Sequence, residues 1–325
     1  MNKKKYLAVI GCGYWGANLV RNFNNINVLK SVVDTNEKSK QKVKKLYANI
    51  HFETSYKNIL KDKDIKAVAI ATPANSHYSI VKDALNHGKH VFVEKPLCLD
   101  LKQGKKLLKI SKEKKLKLMV GHLMLYHPAY IKMKECIKKG LIGNIRYIYS
   151  NRLALGKLRK DEDVLWSFAP HDLSMILDLV KSKVSNVDAF GGSYVKKNIK
   201  DTSLTSISFK NGTKGHIFVS WLHAYKDQKL VVIGERGMIV FADTQRNENK
   251  LLHFKHRVGW KGEIPLAKKS EAKKIPFNFK KEPLSIECKS FINWIEKEKK
   301  PISDVNEGLE VLKVLNVAKK KLSKS

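Results

Sequence analysis

The sequence predicts an α/β chain: a doubly wound parallel sheet first, then a second α/β domain with an open, mostly antiparallel sheet. Three observations predict this. Short apolar runs alternate with amphipathic stretches up to Gly121, and a glycine-rich turn joins the first run to the first stretch. Beyond Gly121 the apolar spacing changes to period two. A length of 325 residues suffices for two cores, and an apolar fraction of 43% is that of a folded protein.

In chain order, Tyr6–Ile10, Val28–Val33, Ala67–Ala71, His90–Val93 and Leu116–Val120 read as buried parallel strands. The amphipathic stretches between them are Trp15–Asn24, Glu37–Tyr47, Ser76–His87 and Leu101–Lys115. A helix is expected over Pro128–Lys139, with proline in its first turn and Gly140 ending it. Thr205/Ile207/Phe209 and Ile217/Val219/Trp221 alternate as half-exposed antiparallel strands do. Gly191-Gly192, Asn211-Gly212 and Glu235-Arg-Gly237 supply turns. Lys255–Lys281 reads as a long basic surface loop, and helices close the chain near Leu284–Lys297 and Glu307–Leu322. The expected division is residues 1–123 and 124–325, with the helix at 307–322 packing back on the first domain.

The net charge of +34 raises the question of a nucleic-acid or membrane partner. The excess is nearly all lysine, spread along the chain on polar helix faces, and arginine is the better fork for phosphate and base edges. No helix-turn-helix, zinc-finger or RNP pattern accompanies it. The expectation is a solvated lysine surface with no nucleic-acid and no membrane partner. No apolar run approaches the roughly 18 residues of a membrane span. The short apolar stretch after Lys5 runs directly into Gly11, as a first strand does, and not into a cleavage site. Cys12, Cys98, Cys136 and Cys288 stand far apart with no metal-ligand spacing. A cytoplasmic protein with reduced thiols and no metal is expected.

Gly11-Cys-Gly13-Tyr14-Trp15-Gly16 is a GxGxxG turn between the first strand and the first helix. Asp34 follows at the end of the next strand, which completes a Rossmann dinucleotide fingerprint. Gly11 permits the tight turn, Gly13 admits the pyrophosphate, and Gly16 lets helix pack on strand. A carboxylate at Asp34 binds ribose hydroxyls and repels a 2′-phosphate, so NAD is the expected cofactor. Thr72-Pro73-Ala-Asn75-Ser-His77 and Glu94-Lys95-Pro96 follow the carboxyl ends of later strands, where open α/β sheets bind ligands. His171, beside Asp172, is the best-placed proton carrier by chemistry, because imidazole titrates near neutrality. Arg152 and Arg159 are two of few arginines and could grip a diphosphate or carboxylate.

Taken together, the fingerprint, Thr72-Pro73 with His77, Glu94-Lys95-Pro96 and His171-Asp172 resemble the glucose-fructose oxidoreductase/inositol dehydrogenase (Gfo/Idh/MocA) family over the whole chain. Gly121-His-Leu-Met-Leu-Tyr126-His-Pro128, the segment from Arg152 to Asp161 and Val164–Asp172 resemble its sugar-nucleotide branch, which includes 3-dehydrogenases of UDP-N-acetylglucosamine or its uronic acid. Ser167 stands where many relatives carry aspartate, and Ala154 where branch members often carry asparagine. The resemblance implies an NAD-dependent dehydrogenase of a nucleotide sugar, assembled as a homo-dimer or homo-tetramer. It implies that Lys95 meets the nicotinamide ribose and the reacting hydroxyl, and that His171 is the proton-transfer group. Tyr126, Arg152, Arg159 and Asp172 complete the expected substrate side. Alternatives are a dehydrogenase of a free sugar or polyol, glycoside cleavage with bound NAD, and a non-catalytic dinucleotide-binding protein.

Overall fold

The computed structural model describes residues 5–155, 158–159 and 162–323. They form two compact units: Met1–Leu123 with Pro283–Leu312, and Met124–Glu282 with Lys313–Ser325.

In the first unit, β1 (Leu7–Ile10), β2 (Leu29–Val33), β3 (His51–Glu53), β4 (Ala67–Ile70), β5 (His90–Glu94) and β6 (Leu118–Gly121) make one sheet. Its order is β3-β2-β1-β4-β5-β6, with every neighbouring pair parallel. Every residue of β1 and β4 is buried, as continuous apolar runs in a doubly wound sheet require. The strand order reverses between β1 and β4, and the carboxyl ends of strands at such a point are where ligands bind.

Helices α1 (Gly16–Asn25), α2 (Glu37–Leu46), α3 (Tyr56–Lys61), α4 (Ala74–Asn86) and α5 (Leu101–Glu113) alternate with these strands. Helix α5 buries Gly104, Leu107 and Ser111 and exposes Lys102, Lys105, Lys106, Lys109 and Lys112, so its lysines form a solvated face. The Asp100 carboxylate caps its first turn, accepting from the Gln103 N–H at 2.8 Å. The chain returns to this unit late. Phe291 of α8 (Pro283–Lys297) sets its edge on Phe92, which in turn meets Phe23. Just before α9 (Val305–Leu322), the Val120 N–H donates to the Ser303 carbonyl at 2.9 Å, tying that segment to β6.

The second unit opens with a 3-10 turn at Leu123–Tyr126 and α6 (Pro128–Lys138). Its sheet contains β7 (Ile145–Leu155), β8 (Val184–Phe190), β9 (Thr202–Phe209), β10 (Lys214–Ser220), β11 (Leu222–Gly234), β12 (Gly237–Ala242), β13 (Leu251–Lys261) and β14 (Ile264–Lys274). The order is β14-β13-β12-β11-β7-β10-β9-β8, antiparallel except where β7 meets β10. Burial alternates along β9 and β10 as the period-two spacing predicts. Helix α7 (Val164–Val180) packs on β7, β9 and β10. Most of its residues are buried on every side, so it shows no amphipathic stripe.

The expected loop at Lys255–Lys281 is instead largely a hairpin of β13 and β14. Every residue of β14 is exposed, so neither face alternates, and lysines with Pro265 hide the strand from a hydropathy reading. Pro265 is tolerated because β14 is the sheet's edge.

Candidate active site

The glycine turn is built by close approach. At Gly11 φ is +90°, and a Cβ there would lie 2.8 Å from the Ala71 carbonyl oxygen. A Cβ at Gly16 would lie 2.0 Å from the Gly11 oxygen, whereas one at Gly13 would meet nothing within 4 Å. Helix α1 starts here with no side-chain cap and no acidic residue in its first turn, so the positive end of its dipole faces the turn without a competing carboxylate on the helix. Asp34 Oδ2 accepts from the Cys12 N–H at 2.6 Å and Oδ1 from the Asn36 N–H at 2.8 Å, which fixes the carboxylate beside this turn. These residues fit a dinucleotide: Gly11–Gly16 could hold its pyrophosphate and Asp34 its adenosine ribose. Tyr14 is 87% exposed, and Trp15 points inward to Glu94.

The fixed carboxylate predicts cofactor choice. NAD is expected to bind at least about tenfold more tightly than NADP, roughly 1.4 kcal/mol. Asp34→Ser should narrow the gap in titration calorimetry; equal affinities in the native protein would remove Asp34 from this role.

At the end of β4, the Ser76 hydroxyl donates to Thr72 Oγ1 at 2.8 Å, Pro73 precedes α4, and Asn75 lies exposed in its first turn. His77 is buried instead. Its Nδ1 stands 2.7 Å from the Pro96 carbonyl oxygen and its Nε2 2.8 Å from that of Thr72. Burial lowers its pKa, and a neutral ring carries one N–H, so it donates to one of these two carbonyls at a time. After β5, Lys95 is half-buried and its peptide bond to Pro96 is cis. Glu94 accepts from Trp15 Nε1 at 2.5 Å, and burial raises its pKa to about 7. The β5–β6 register sets Glu94 opposite Gly121, where a Cβ would stand 3.0 Å from its carboxylate.

The second unit carries the expected substrate side. Tyr126 is buried at the end of the 3-10 turn. His127 Nδ1 accepts from the Ala129 N–H at 3.1 Å, and burial lowers its pKa to about 4, so it enters α6 as a neutral cap. His171 is half-buried in α7, with the buried Ser167 one turn earlier. Asp172 is fully buried and committed to β7. Arg152 Nε donates to its Oδ2 at 2.7 Å and Arg152 Nη2 to its Oδ1 at 3.2 Å. Ser150 Oγ donates to Oδ1 at 2.5 Å. Ser150 and Arg152, two apart on a strand, share the face that meets α7. Arg152 and Asp172, both expected on the substrate side, here hold each other. Arg159 pairs with Glu162 at 2.8 Å on a half-exposed side chain.

Sequence reasoning passed over Ser150, Glu287 and Glu307. Ser150 becomes legible only once β7 is known to alternate, and the two glutamates reach the Glu94 region from helices far along the chain.

Residues 5–122 match the model of an oxidoreductase family with an NAD-binding Rossmann fold, and residues 130–240 match the Gfo/Idh/MocA C-terminal domain. The chain is 28% identical over 312 residues to the UDP-N-acetylglucosamine 3-dehydrogenase of Acidithiobacillus ferrooxidans, covering 94% of this chain and 93% of that one. It is 28% identical over 262 residues to the myo-inositol 2-dehydrogenase of Thermotoga maritima, covering 76% and 77%. Solved structures of the same fold include UDP-N-acetylglucosamine 3-dehydrogenase GnnA from Acidithiobacillus ferrooxidans (TM-score 0.84, 24% identity, 98% and 97% coverage). Another is levoglucosan dehydrogenase in complex with NADH and levoglucosan (TM-score 0.82, 20% identity, 98% and 97% coverage). With both parts of the chain matched and the dinucleotide turn in place, this protein belongs to the Gfo/Idh/MocA family of NAD-binding oxidoreductases.

Proposed function

We propose that the protein oxidises a ring hydroxyl, at C3, of a UDP-N-acetylhexosamine or its uronic acid, with NAD as hydride acceptor. The observation that carries this reading is the end-to-end similarity to a UDP-N-acetylglucosamine 3-dehydrogenase, 94% of this chain against 93% of that one. The match to the inositol enzyme is as high in identity and shorter in extent.

In the reaction, the ring C–H leaves as hydride and the O–H as a proton, so the carbinol becomes a ketone and NAD becomes NADH. His171 takes the hydroxyl proton, which a neutral imidazole does at neutral pH. Lys95 holds and polarises the hydroxyl oxygen through its ammonium group. Tyr126 and Arg159 complete the substrate side, Arg159 by exchanging Glu162 for a diphosphate oxygen. Arg152 and Asp172 act by fixing β7 against α7 and hence His171. The assembly is a homo-dimer or homo-tetramer, to be read by light scattering.

A panel of UDP-sugars and free polyols, followed by NADH absorbance, tests the substrate. Oxidation of UDP-N-acetylhexosamine or its uronate and not of free polyols is the expected result. Oxidation of inositol or free sugars alone would replace the substrate and keep the chemistry. The lysine surface carries a second expectation: random duplex DNA should bind no tighter than the non-specific range of about 10⁻⁴–10⁻⁶ M at physiological salt. A nanomolar, sequence-preferring complex in fluorescence anisotropy would overturn it.

A further inference from the structure

Trp15 closes the glycine turn after β1, Glu94 ends β5, and one hydrogen bond joins them. Trp15 stands at the N-cap position of α1, and its indole Nε1–H donates to Glu94 Oε1 at 2.5 Å, across 79 residues of chain. Oε2 of the same carboxyl accepts from the Lys95 N–H at 3.3 Å. Strand β4 lies between β1 and β5 in the sheet, so the contact spans the carboxyl end of β4, where the strand order reverses. The dinucleotide turn and the Lys95 turn, on two separate strands, are thereby held through one carboxyl.

That carboxyl has little room. Gly121 of β6 is in register with Glu94, and a Cβ there would lie 3.0 Å from Oε2 and 3.2 Å from Oε1. Any larger residue would push the carboxyl by a few tenths of an ångström. Glu94 is 9% exposed, so water is a poor substitute for either donor. An indole has a single donor and no acceptor, and here it is spent on the residue that precedes Lys95. The lysine side chain is a flexible four-carbon stem, so where its ammonium reaches depends first on where its backbone is held.

We propose that Trp15 is a positioning residue for Lys95: through Glu94 it fixes the backbone from which the amine reaches the substrate oxygen, and so couples the dinucleotide turn to the amine. The inference rests on the reading of Lys95 as the active-site lysine. The hydrogen bond itself is measurable without substrate or cofactor.

Nuclear magnetic resonance of the protein without ligands tests the contact. Of the five tryptophan indole N–H signals, the one that vanishes in Trp15→Phe should move in Glu94→Gln. A signal that stays in place would overturn the proposal. Turnover at saturating NAD, with the sugar or polyol that the substrate panel identifies, tests the role. Trp15→Phe should lower kcat about tenfold or more, since misplacing a reacting group by about 1 Å costs on the order of 10²-fold. Gly121→Ala, which displaces the carboxyl and leaves both of its donors in place, should lower kcat in the same direction. The deciding measurement is the cycle with Lys95→Met. Added to Lys95→Met, Trp15→Phe should cost less than about twofold, because the group it positions is already gone. A full further loss would mean that Trp15 acts elsewhere, and would overturn the proposal. So would native kcat in Trp15→Phe with only a weaker Kd for NAD, the mark of a simple cofactor contact. If Gly121→Ala does not fold, the cycle still decides. A Lys95→Met variant of near-native kcat would refute the active-site reading and the positioning role with it, while the Glu94-dependent indole signal would remain.

Discussion

Lys95→Met and His171→Asn should each lose at least about a hundredfold in kcat with UDP-N-acetylhexosamine or its uronate, while NAD still binds. General acid–base groups contribute about 10²–10⁴-fold, and neither replacement can perform the native task. Asparagine keeps the size and some hydrogen bonding of His171 but cannot take a proton at neutral pH. Methionine keeps the length of Lys95 without its charge. Neither change touches Gly11–Gly16 or Asp34, so NAD should still bind in calorimetry. Turnover within a fewfold of native in a folded variant would remove that residue from the chemistry. Loss of NAD binding would make it a cofactor support and send the search for the proton carrier to Tyr126. His127 is the poorer substitute, because burial already pushes its pKa to about 4 and its Nδ1 is committed to the Ala129 N–H. His122 is engaged with Glu307.

What was legible from sequence follows from what each signal depends on. Strands β1 and β4 show themselves as short unbroken apolar runs, because burial on both faces leaves no polar alternation to dilute them, whereas β3, a short edge strand with no buried residue, gives no such run and is not expected from sequence. The dinucleotide turn is legible because its requirements are steric and local: a positive φ at Gly11 and contacts at Gly16 that no side chain survives. Helix α7 carries no stripe because it is buried nearly all round, and strand β14 none because it is exposed along its whole length. Both defeat a periodicity argument for opposite reasons. The roles of single residues were the least legible. His77 follows the Thr-Pro turn where a cofactor contact is expected, yet it is buried between two carbonyls. From sequence Arg152 reads as a hand for anions, and the anion it holds is Asp172. No local pattern distinguishes a ligand-binding arginine from one that faces a carboxylate brought over by a helix.

That arginine carries the largest stability effect expected in the second unit. Arg152→Ala should destabilise the protein by about 3–5 kcal/mol, because it leaves the Asp172 carboxylate buried without its counter-ion. Arg152 is 6% exposed and Asp172 0%, so water cannot replace the two donors that are lost. The remaining Ser150 donor satisfies one carboxylate oxygen and supplies no charge. Asp172→Asn should also cost stability, since the amide keeps an acceptor for Arg152 but leaves the buried guanidinium without its counter-ion. The double variant Arg152→Met/Asp172→Leu should recover much of the loss, as buried pairs often break even against apolar groups of similar size. Denaturant unfolding with an unchanged m value reads these differences directly. A loss below about 1 kcal/mol for Arg152→Ala, the range of exposed pairs, would mean that the pair is solvated in solution. Because Asp172 follows His171 in α7, the double variant also separates packing from chemistry. Near-native stability with kcat within a fewfold of native would confine the pair to holding β7 against the helix. A stable double variant with strongly reduced kcat would show that the ion pair fixes the position of His171 itself.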